Sequence, residues 1–312
     1  MSSGVVLGKF MPVHNGHRYL IDFARHYCDE LTIVVGSLAC EPIPGTLRVE
    51  WMRELYPAQR VVHVTDENPQ YPHEHPDFWA IWRQTLQRAL GHKPDYLFAS
   101  EEYGQRLAEE LGASYVPTNG LRGLVAVSGS QIRQDPETHW QHLPSCVRPY
   151  FVRRICVFGP ESSGKSTLAE RLASHYQTVW VPEYARLYLE RQGRFETADI
   201  EPIARGQLAS EQALARRARW LMFSDTDLLT TSIWADWLLQ ARHPWLDRQI
   251  EAQHYDLYLL CDADLPWKKD ELRYLPHHGR QFLERCRTEL ETRKRPYALI
   301  SGRGEERFQL AL

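Results

Sequence analysis

The stretch GPESSGKST, at positions 159–167, constrains the fold of this chain more than any other segment. It fits the pattern G-x-x-x-x-G-K-[ST], with Gly159, Gly164 and Lys165 followed by a serine, Ser166. The apolar run ICVF precedes the stretch and a helical pattern follows it, as this phosphate-binding loop requires. The second half of the chain is therefore predicted to be an α/β domain in which the loop joins a strand to a helix.

This pattern assigns chemistry to individual side chains. Lys165 is predicted to reach the β and γ oxygens of ATP, while the Ser166 hydroxyl binds Mg²⁺. Asp225 follows the apolar run WLMF and is placed to hold Mg²⁺ through water, as a Walker-B-like carboxylate does. Asp227 either shares that role or caps the next helix. The other loop residues expected to contact ATP are Gly159, Ser162, Ser163, Gly164 and Thr167.

Three features after the loop indicate a small-molecule kinase rather than a GTPase or a motor protein. In VPEYAR, Glu183 follows the second strand of this half and is placed to accept a proton from a hydroxyl group. Arg186 comes one helical turn later and is placed to stabilise charge on the transferred phosphoryl group. The polar segment 262–280 has no clear period, which is typical of a lid, and its Arg273 and Arg280 are either phosphate ligands or solvated charges.

A second loop of similar chemistry, GKFMPVHNGH at positions 8–17, follows the apolar run VVL. Gly8 permits close approach of the backbone, and Pro12 stiffens the loop. Gly16 and His17 open the next helix, whose N-terminal N–H groups favour phosphate. His14 and His17 are predicted to donate hydrogen bonds to phosphates, and the alternative is a pair of surface histidines or half of a metal site. The chain is thus predicted to carry two nucleotide sites.

The length of 312 residues fits two domains, because single cores usually stop growing near about 250 residues. In both halves short apolar runs alternate with amphipathic helical patterns, which predicts two doubly wound parallel-sheet α/β domains. The predicted strands are 5–7, 31–35, 61–64, 96–99, 155–158, 179–181, 220–223, 257–260 and 297–301. The segment 135–153 carries three prolines and no sustained period, so we place the domains at 1–150 and 151–312.

Composition excludes several classes of partner. The formal net charge of −3 provides no basic field, so nucleic acid is not expected as a partner. The chain has neither an apolar run of about 18 residues nor a signal-peptide pattern, so we expect no membrane partner and a cytoplasmic location. The six cysteines form no CxxC pair and are predicted to be buried reduced thiols. The sequence leaves open whether the chain forms a homo-oligomer.

The N-terminal loop resembles the GxFxPxHxGH signature of the nucleotidyltransferase superfamily. That superfamily pairs the signature with a later ISxTxxR-type motif, for which this chain has VSGSQIR at 127–133. Ser130 stands where threonine is commoner, which keeps the hydroxyl group. The resemblance implies a Rossmann-like domain whose loops clasp the triphosphate of ATP, with Arg133 against the β- and γ-phosphates. The ATP contacts that it implies are Gly8, Lys9, Phe10, His14, His17, Ser128, Ser130 and Arg133.

The two halves together resemble the NadR-type bifunctional nicotinamide-mononucleotide adenylyltransferase/ribosylnicotinamide kinase family. The resemblance spans essentially the whole chain and includes EYAR, SDTD and PW in the second half. It implies that ATP phosphorylates nicotinamide riboside, and that a second ATP converts the mononucleotide (NMN) to NAD and pyrophosphate, with Mg²⁺ as cofactor. Some members carry a helix-turn-helix repressor domain, which we expect to be absent here. Relatives often have glycine in place of Glu271, so the lid geometry is expected to differ.

The same resemblance implies roles for particular side chains around the substrates. The mononucleotide phosphate is already an anionic nucleophile, so His14, His17, Arg133 and Mg²⁺ need only align it and neutralise the leaving pyrophosphate. In related adenylyltransferases a tryptophan near HPDFWAIW stacks on nicotinamide, and we favour Trp79 over Trp82, with core packing as the alternative. The candidate substrate contacts in the kinase half are Arg186, Tyr188 and Trp267.

Two other functional classes share parts of this pattern. A coenzyme A-type fusion would have the same N-terminal signature, but its kinase half would need a different acceptor pocket. A non-catalytic sensor of ATP and NAD metabolites would bind similar ligands, although the reactive groups of Lys165, Glu183 and Asp225 favour catalysis. NAD formation from nicotinamide riboside, ATP and Mg²⁺ separates the enzyme from the sensor.

Overall fold

The computed structural model of the chain describes residues 1–101, 103–118, 127–270, 272–273 and 277–312. These residues form two compact units, Met1–Val147 and Arg148–Leu312. Each unit contains a five-stranded sheet in which all the paired strands are parallel. The prediction of two parallel-sheet α/β domains is therefore confirmed. None of the helices in the described ranges has the length and apolar character needed to cross a bilayer.

The first unit has the strand order β3-β2-β1-β4-β5. Its strands are β1 (Ser3–Gly8), β2 (Glu30–Gly36), β3 (Arg60–Val64), β4 (Tyr96–Ala99) and β5 (Ser114–Pro117). Its helices are α1 (Asn15–Tyr27), α2 (Gly45–Leu55), α3 (Phe78–Leu90), α4 (Tyr103–Leu111) and α5 (Gly129–Gln134). Val5, Val34 and Leu97 pack against α3 and α4, while Val6 and Ile33 are also buried. Because both faces of the sheet are covered, its central strands are continuous apolar runs.

The second unit has the strand order β10-β9-β6-β8-β7. Its strands are β6 (Arg153–Phe158), β7 (Val179–Val181), β8 (Leu221–Asp225), β9 (Leu257–Cys261) and β10 (Tyr297–Ile300). Its helices are α6 (Arg148–Phe151), α7 (Lys165–His175), α8 (Tyr184–Gln192), α9 (Ile200–Ala215), α10 (Leu228–Leu239), α11 (Pro244–Ala252), α12 (Gly279–Thr292) and α13 (Glu305–Ala311). Phe158 packs in a core with α9 to α12, whereas Val157 packs against α7 and α13.

In each sheet the strand order reverses at the strand that precedes a predicted phosphate loop. Strand β1 lies between β2 and β4, and β6 lies between β9 and β8. Open α/β sheets bind ligands in the crevice outside the carboxyl end of such a strand. The segments that follow Gly8 and Phe158 therefore lie where sheet topology provides a place for a nucleotide.

The predicted strands are all present, but several short elements were not predicted. These are β5 and the helices α5, α6, α8, α11 and α13. None of them exceeds the 9 residues of α8 and α11, so a 3.6-residue period repeats too few times to be distinctive. The prediction that all cysteines are buried is wrong for Cys40, which is exposed because it lies in a turn after β2.

A buried carboxyl group makes the stability of the second unit depend on pH. Glu211 on α9 accepts hydrogen bonds from the Tyr255 hydroxyl at 2.7 Å and from the Gln253 amide at 2.9 Å. Burial raises the pKa of Glu211 from its ordinary 4.5 to about 7. The folded state thus keeps this proton to a higher pH than the unfolded state, and the associated stability is lost as pH rises through 7.

We expect Glu211→Gln, which is neutral at every pH, to remove this loss. Between about pH 5 and about pH 8 the free energy of unfolding of the second unit should fall by about 3 kcal/mol more in the wild type than in the variant. Urea unfolding at both pH values measures this difference. Glu170→Gln, which changes an exposed carboxylate on α7, is the control. A pH-independent difference between wild type and Glu211→Gln would contradict the assignment.

Candidate active sites

The P-loop cleft is a cavity of about 470 Å³ that the phosphate loop lines together with residues that follow β7 and end β8. It brings together most of the residues predicted from the second half of the sequence. Those that line it are Ser162, Ser163, Gly164, Lys165, Ser166, Thr167, Glu183, Arg186, Asp225 and Arg273. Side chains that are far apart in sequence therefore share one cavity.

The loop backbone adopts conformations that glycine permits. Gly159 has φ = 133° and Gly164 has φ = 80°. A Cβ atom at Gly159 would lie 2.7 Å from the carbonyl oxygen of Cys261, so this position excludes side chains. Helix α7 begins at Lys165, directly after the loop, and the Nζ of Lys165 donates to the Pro160 carbonyl at 2.8 Å. The loop thus orients its own ammonium group, and a helix N-terminus lies beside it.

Two acidic side chains of the cleft perturb each other. Glu183 follows β7, and Asp225 ends the neighbouring strand β8. Burial raises the pKa of Glu183 to about 7, and the nearby Asp225 carboxylate adds to the rise. Burial also raises the pKa of Asp225, although Lys165 opposes this effect. Carboxyl groups shifted in this way within a cleft are typical of sites that transfer protons.

Asp225 also offers an unused oxygen ligand. Its Oδ1 atom is buried, and no donor in the described part of the chain reaches it. The nearby Ser166 side chain opposes the rise in the pKa of this carboxyl group. Carboxylate and hydroxyl oxygens are hard ligands of the kind that Mg²⁺ prefers. The residues present at this point therefore fit a magnesium ion.

Asp227 takes one of the two roles that the sequence left open. Its side chain accepts a hydrogen bond from the Thr230 N–H at 3.1 Å and another from the Tyr258 hydroxyl at 2.8 Å. It is buried and lies outside the lining of the cleft. Asp227 is therefore the N-cap of α10.

The predicted lid contacts the P-loop cleft through charged and backbone groups. Arg186 pairs with Asp270 of this segment at 2.5 Å. The Arg273 side chain donates to the Lys268 carbonyl at 2.6 Å, and the Lys268 N–H donates to the Ser162 hydroxyl at 3.1 Å. Arg186 and the phosphate loop are thus both attached to the same segment.

Several predicted residues do not line the P-loop cleft. The Tyr188 hydroxyl donates to Asp199 at 3.0 Å. The indole nitrogen of Trp267 is buried and meets no acceptor among the residues that the structure describes. Arg280 is exposed in the first turn of α12, so the solvated-charge interpretation fits it. The departure at Glu271 lies outside the described residues.

Sequence reasoning missed the aromatic wall of this cleft. Trp180 on β7 and Trp234 on α10 line the cavity together with Phe195. A signal existed for Trp180, because a residue near the end of a parallel strand lies close to the ligand edge of the sheet. Trp234 lies within an apolar helix, where only packing decides which side chains reach the cavity.

The N-terminal cleft is a cavity of about 870 Å³ whose lining includes residues at the carboxyl ends of β1, β2, β3 and β4. It brings the first loop together with VSGSQIR and the two tryptophans of α3. The predicted residues that line it are Gly8, Lys9, Phe10, His17, Trp79, Trp82, Ser128, Ser130 and Arg133. His14 lies behind this lining and is 5% exposed.

The rings of the two histidines of the first loop stack on each other. His14 is the N-cap of α1, and its Nδ1 atom accepts the Gly16 N–H at 3.1 Å, which leaves the proton of a neutral ring on Nε2. The two rings lie 3.7 Å apart at 30°. Burial lowers the pKa of His14 to about 4 and that of His17 well below its ordinary value. Near neutral pH both rings are therefore neutral, and His17 offers an N–H group rather than a positive charge.

The two motifs of the N-terminal cleft are in direct contact. The Arg133 guanidinium donates to the Met11 carbonyl and, at 3.1 Å, to the Ser130 hydroxyl. A Cβ atom at Gly129 would lie 2.5 Å from the same Met11 oxygen, so only glycine allows this approach. Ser128 caps α5 by accepting the Gln131 N–H at 3.2 Å. The contact places Arg133 against the first loop.

A buried ion pair beneath the first loop was not predicted. Arg48 on α2 is fully buried, donates to the Lys9 carbonyl at 2.7 Å and pairs with Glu41 at 2.6 Å. Glu41 also pairs with the Lys9 ammonium at 2.9 Å. Arg48 therefore holds the loop backbone, while Lys9 remains half exposed at the cleft. No local pattern around Arg48 indicated this role.

Trp79 and Trp82 both pack in the core and reach the N-terminal cleft, so stacking on nicotinamide stays a prediction. Each ring lines the N-terminal cleft and also packs against the core of the first unit. The Trp82 N–H donates to the Pro69 carbonyl at 2.9 Å, which ties it to the loop before α3. Trp79 packs edge-on against Phe78, with 4.9 Å between the ring centroids.

Comparison with known proteins connects both halves to characterised relatives. The family model described as an AAA domain matches residues 154–307. The chain is 32% identical over 295 residues to the trifunctional NAD biosynthesis/regulator protein NadR of Escherichia coli K12, a match that covers 87% of this chain and 72% of the relative. The protein of the same name from Salmonella typhimurium LT2 is 31% identical over 294 residues, again covering 87% and 72%.

Solved structures share the fold at lower sequence identity. A crystal structure of a NadR protein in complex with NAD and AMP-PNP superposes with a TM-score of 0.81 and 22% identity, covering 99% of this chain and 94% of that chain. A NadR crystal structure in complex with NR gives the same TM-score and coverage at 21% identity.

Proposed function

Because the chain belongs to the NadR family, we propose that it has two activities in NAD biosynthesis, one in each unit. In the P-loop cleft, ATP phosphorylates nicotinamide riboside to its mononucleotide. In the N-terminal cleft, a second ATP adenylylates the mononucleotide to NAD and releases pyrophosphate. One observation carries this proposal: a single chain has two predicted phosphate loops, and each directly follows the strand at which the order of its own sheet reverses.

The first unit is proposed to be a Rossmann-like nucleotidyltransferase. Its nucleophile, the mononucleotide phosphate, is already anionic, so the site has to align it and neutralise the departing pyrophosphate. Arg133 supplies positive charge against the first loop, and His17 supplies a neutral N–H donor. His14 acts through His17, because its ring stacks on His17 while its Nδ1 atom is engaged by Gly16.

The second unit is proposed to be the ribosylnicotinamide kinase. Its nucleophile is a neutral hydroxyl group, which gains from a base whose pKa lies near the working pH. Glu183 fits this role, since burial and Asp225 place its pKa at about 7. Lys165 and Arg186 neutralise the transferred phosphoryl group once Arg186 exchanges its Asp270 partner for phosphate.

Ser166 and Asp225 are the residues that would hold Mg²⁺. When bound, the ion supplies positive charge beside the phosphate oxygens of ATP. The buried Oδ1 of Asp225 and the Ser166 hydroxyl support this proposal, because both are oxygen ligands in the lining of the cleft.

Aromatic side chains are proposed to bind the pyridine ring in both clefts. A pyridinium is a cation that stacks favourably on an indole face. In the N-terminal cleft we favour Trp79, because the indole N–H of Trp82 is already used to hold the Pro69 backbone. In the P-loop cleft Trp180 and Trp234 replace Tyr188 and Trp267 as candidates, since they line the cavity.

The proposal is tested by incubating the protein with nicotinamide riboside, ATP and Mg²⁺ and separating the products by chromatography. We expect NAD, with ADP and pyrophosphate formed in equal amounts. Consumption of the riboside without NAD formation would show that the protein has only the kinase activity. NAD formation only from added mononucleotide would show that it has only the adenylyltransferase activity. A sensor, or a fused enzyme of coenzyme A synthesis, would form no NAD from either substrate.

Glu183→Gln tests the proposed base of the kinase. The amide keeps the shape of the side chain but cannot accept a proton, so the kinase kcat should fall by roughly 10²-fold while ATP binding changes little. Steady-state kinetics with nicotinamide riboside measure kcat and KM separately.

Two comparisons make the Glu183 test decisive. NAD synthesis from added mononucleotide should be unchanged in Glu183→Gln, because that reaction occurs in the other unit. If instead KM for the riboside rises and kcat stays near the wild-type value, Glu183 is a ribose ligand. Asp225 would then be the next candidate for the base.

A further inference from the structure

Helix α13 carries a buried arginine that reaches the phosphate loop from outside the P-loop cleft. Arg307 is 4% exposed and does not line the cavity. Its Nη1 donates to the Ser163 carbonyl at 2.8 Å, and its Nε donates to the Gly302 carbonyl at 2.9 Å. Its Nη2 pairs with Asp264. One guanidinium thus joins the phosphate loop to the segments that follow β9 and β10.

The contact with Ser163 bears on the nucleotide because of peptide geometry. In a trans peptide the C=O and the following N–H point in opposite directions. A Ser163 carbonyl held toward Arg307 therefore directs the Gly164 N–H to the other side of the loop, where Gly164 lines the cleft. Backbone N–H groups of such a loop are the donors that cradle phosphate.

The other contacts of Arg307 hold its guanidinium group in one position. Asp264 accepts the Gly302 N–H at 2.7 Å as well as pairing with Arg307, so the carboxylate is held from two sides. A buried guanidinium needs a carboxylate partner and filled donor positions, since an unpaired charge in the interior is costly. Its planar fork can serve the three acceptors together, which a lysine ammonium cannot do with the same geometry.

We propose that Arg307 is a positioning residue for nucleotide binding in the P-loop cleft, acting through the Ser163 carbonyl to orient the Gly164 N–H toward phosphate. This inference rests on the proposed kinase function, because it concerns the nucleotide of that site. The proposed role differs from the simpler one of attaching α13 to the rest of the unit, which other residues of the helix also perform.

Arg171 provides a matched control for that simpler role. It lies on α7, pairs with Glu305 at 2.6 Å and donates to the Gly304 carbonyl at 3.2 Å. Its guanidinium also lies 4.2 Å from the centre of the Phe308 ring. Arg171 therefore attaches α13 to α7 without contacting the phosphate loop, and it is partly exposed.

The test compares Arg307→Met with Arg171→Met in the full chain, using AMP-PNP with Mg²⁺ as the probe. Calorimetric titration is carried out on the wild type and on Lys165→Ala. AMP-PNP binding that the wild type shows and Lys165→Ala lacks is assigned to the P-loop cleft, and the binding that remains is assigned to the N-terminal cleft. A charge-assisted hydrogen bond lost from the loop should weaken AMP-PNP binding in the P-loop cleft by about tenfold or more in Arg307→Met. In Arg171→Met the AMP-PNP affinity of the P-loop cleft should stay within about twofold of the wild-type value. Nicotinamide riboside should bind both variants equally.

Each other result counts against the inference or against its premise. Equal AMP-PNP affinities of the two variants would overturn the positioning role, as would a matching loss of riboside affinity in Arg307→Met. If Arg307→Met does not fold, Arg307→Lys retains the charge beside Asp264 without the fork, and wild-type affinity in that variant would overturn the proposal. Failure of the wild type to bind AMP-PNP in the P-loop cleft would instead contradict the proposed kinase function.

Discussion

Lys165→Ala is expected to abolish phosphorylation of nicotinamide riboside while NAD synthesis from added mononucleotide continues at the wild-type rate. The Lys165 ammonium is held by the Pro160 carbonyl at 2.8 Å, inside the loop that would surround the phosphates. The substitution removes a positive charge whose contact with the phosphoryl group strengthens during transfer. The kinase rate should therefore fall on the order of 10³-fold. Coupled assays for ADP and for NAD measure the two reactions separately.

The selectivity of this effect is the informative part of the experiment. Each unit has its own sheet, core and predicted phosphate loop, so a change in the P-loop cleft should leave the other cleft intact. Lys268→Ala, which removes an exposed ammonium from the lid segment but keeps the backbone N–H that Ser162 accepts, is the control. Loss of both reactions in a folded Lys165→Ala protein would show that the two sites are not independent.

His17→Ala is expected to give the reverse pattern, so that nicotinamide riboside is converted to the mononucleotide and no further. The imidazole lies at the start of α1 and lines the N-terminal cleft. Removing a donor that binds developing charge typically costs about 10²- to 10³-fold in rate. Because burial holds the pKa of His17 well below its ordinary value, the lost group is a neutral donor. The adenylylation rate should therefore show no titration of His17 near neutral pH in the wild type.

His26→Ala is the matched control for His17→Ala. His26 lies on the same helix, but it is exposed and its ring contacts the Asp22 carbonyl at 2.6 Å. Its replacement should leave both activities unchanged. A wild-type rate of adenylylation in His17→Ala would show that His17 does not take part in the reaction. Equal losses of this rate in both variants would indicate damage to α1 instead.

Most of the fold could be predicted because its signals are local. A strand buried on both faces is a continuous apolar run, as at Val5–Leu7 and Leu257–Cys261, and it needs no knowledge of its neighbours. The shortest helices were missed because four to nine residues carry too little periodicity. The candidate sites could be predicted where a loop follows a strand, because the carboxyl edge of a parallel sheet is where ligands bind.

The sequence by itself therefore determined two parallel α/β units, two candidate phosphate loops and the side chains adjacent to them, since each of these depends on residues close together in the chain. Only the tertiary structure decided which distant residues support those loops. Arg48 and Arg307 hold loop carbonyls from helices far away in sequence, and Trp234 reaches the P-loop cleft from within an apolar helix. The low pKa of His17 and the raised pKa of Glu183 likewise come from burial among distant neighbours. Burial and long-range hydrogen bonds depend on how the chain packs, and no local pattern of residues encodes them.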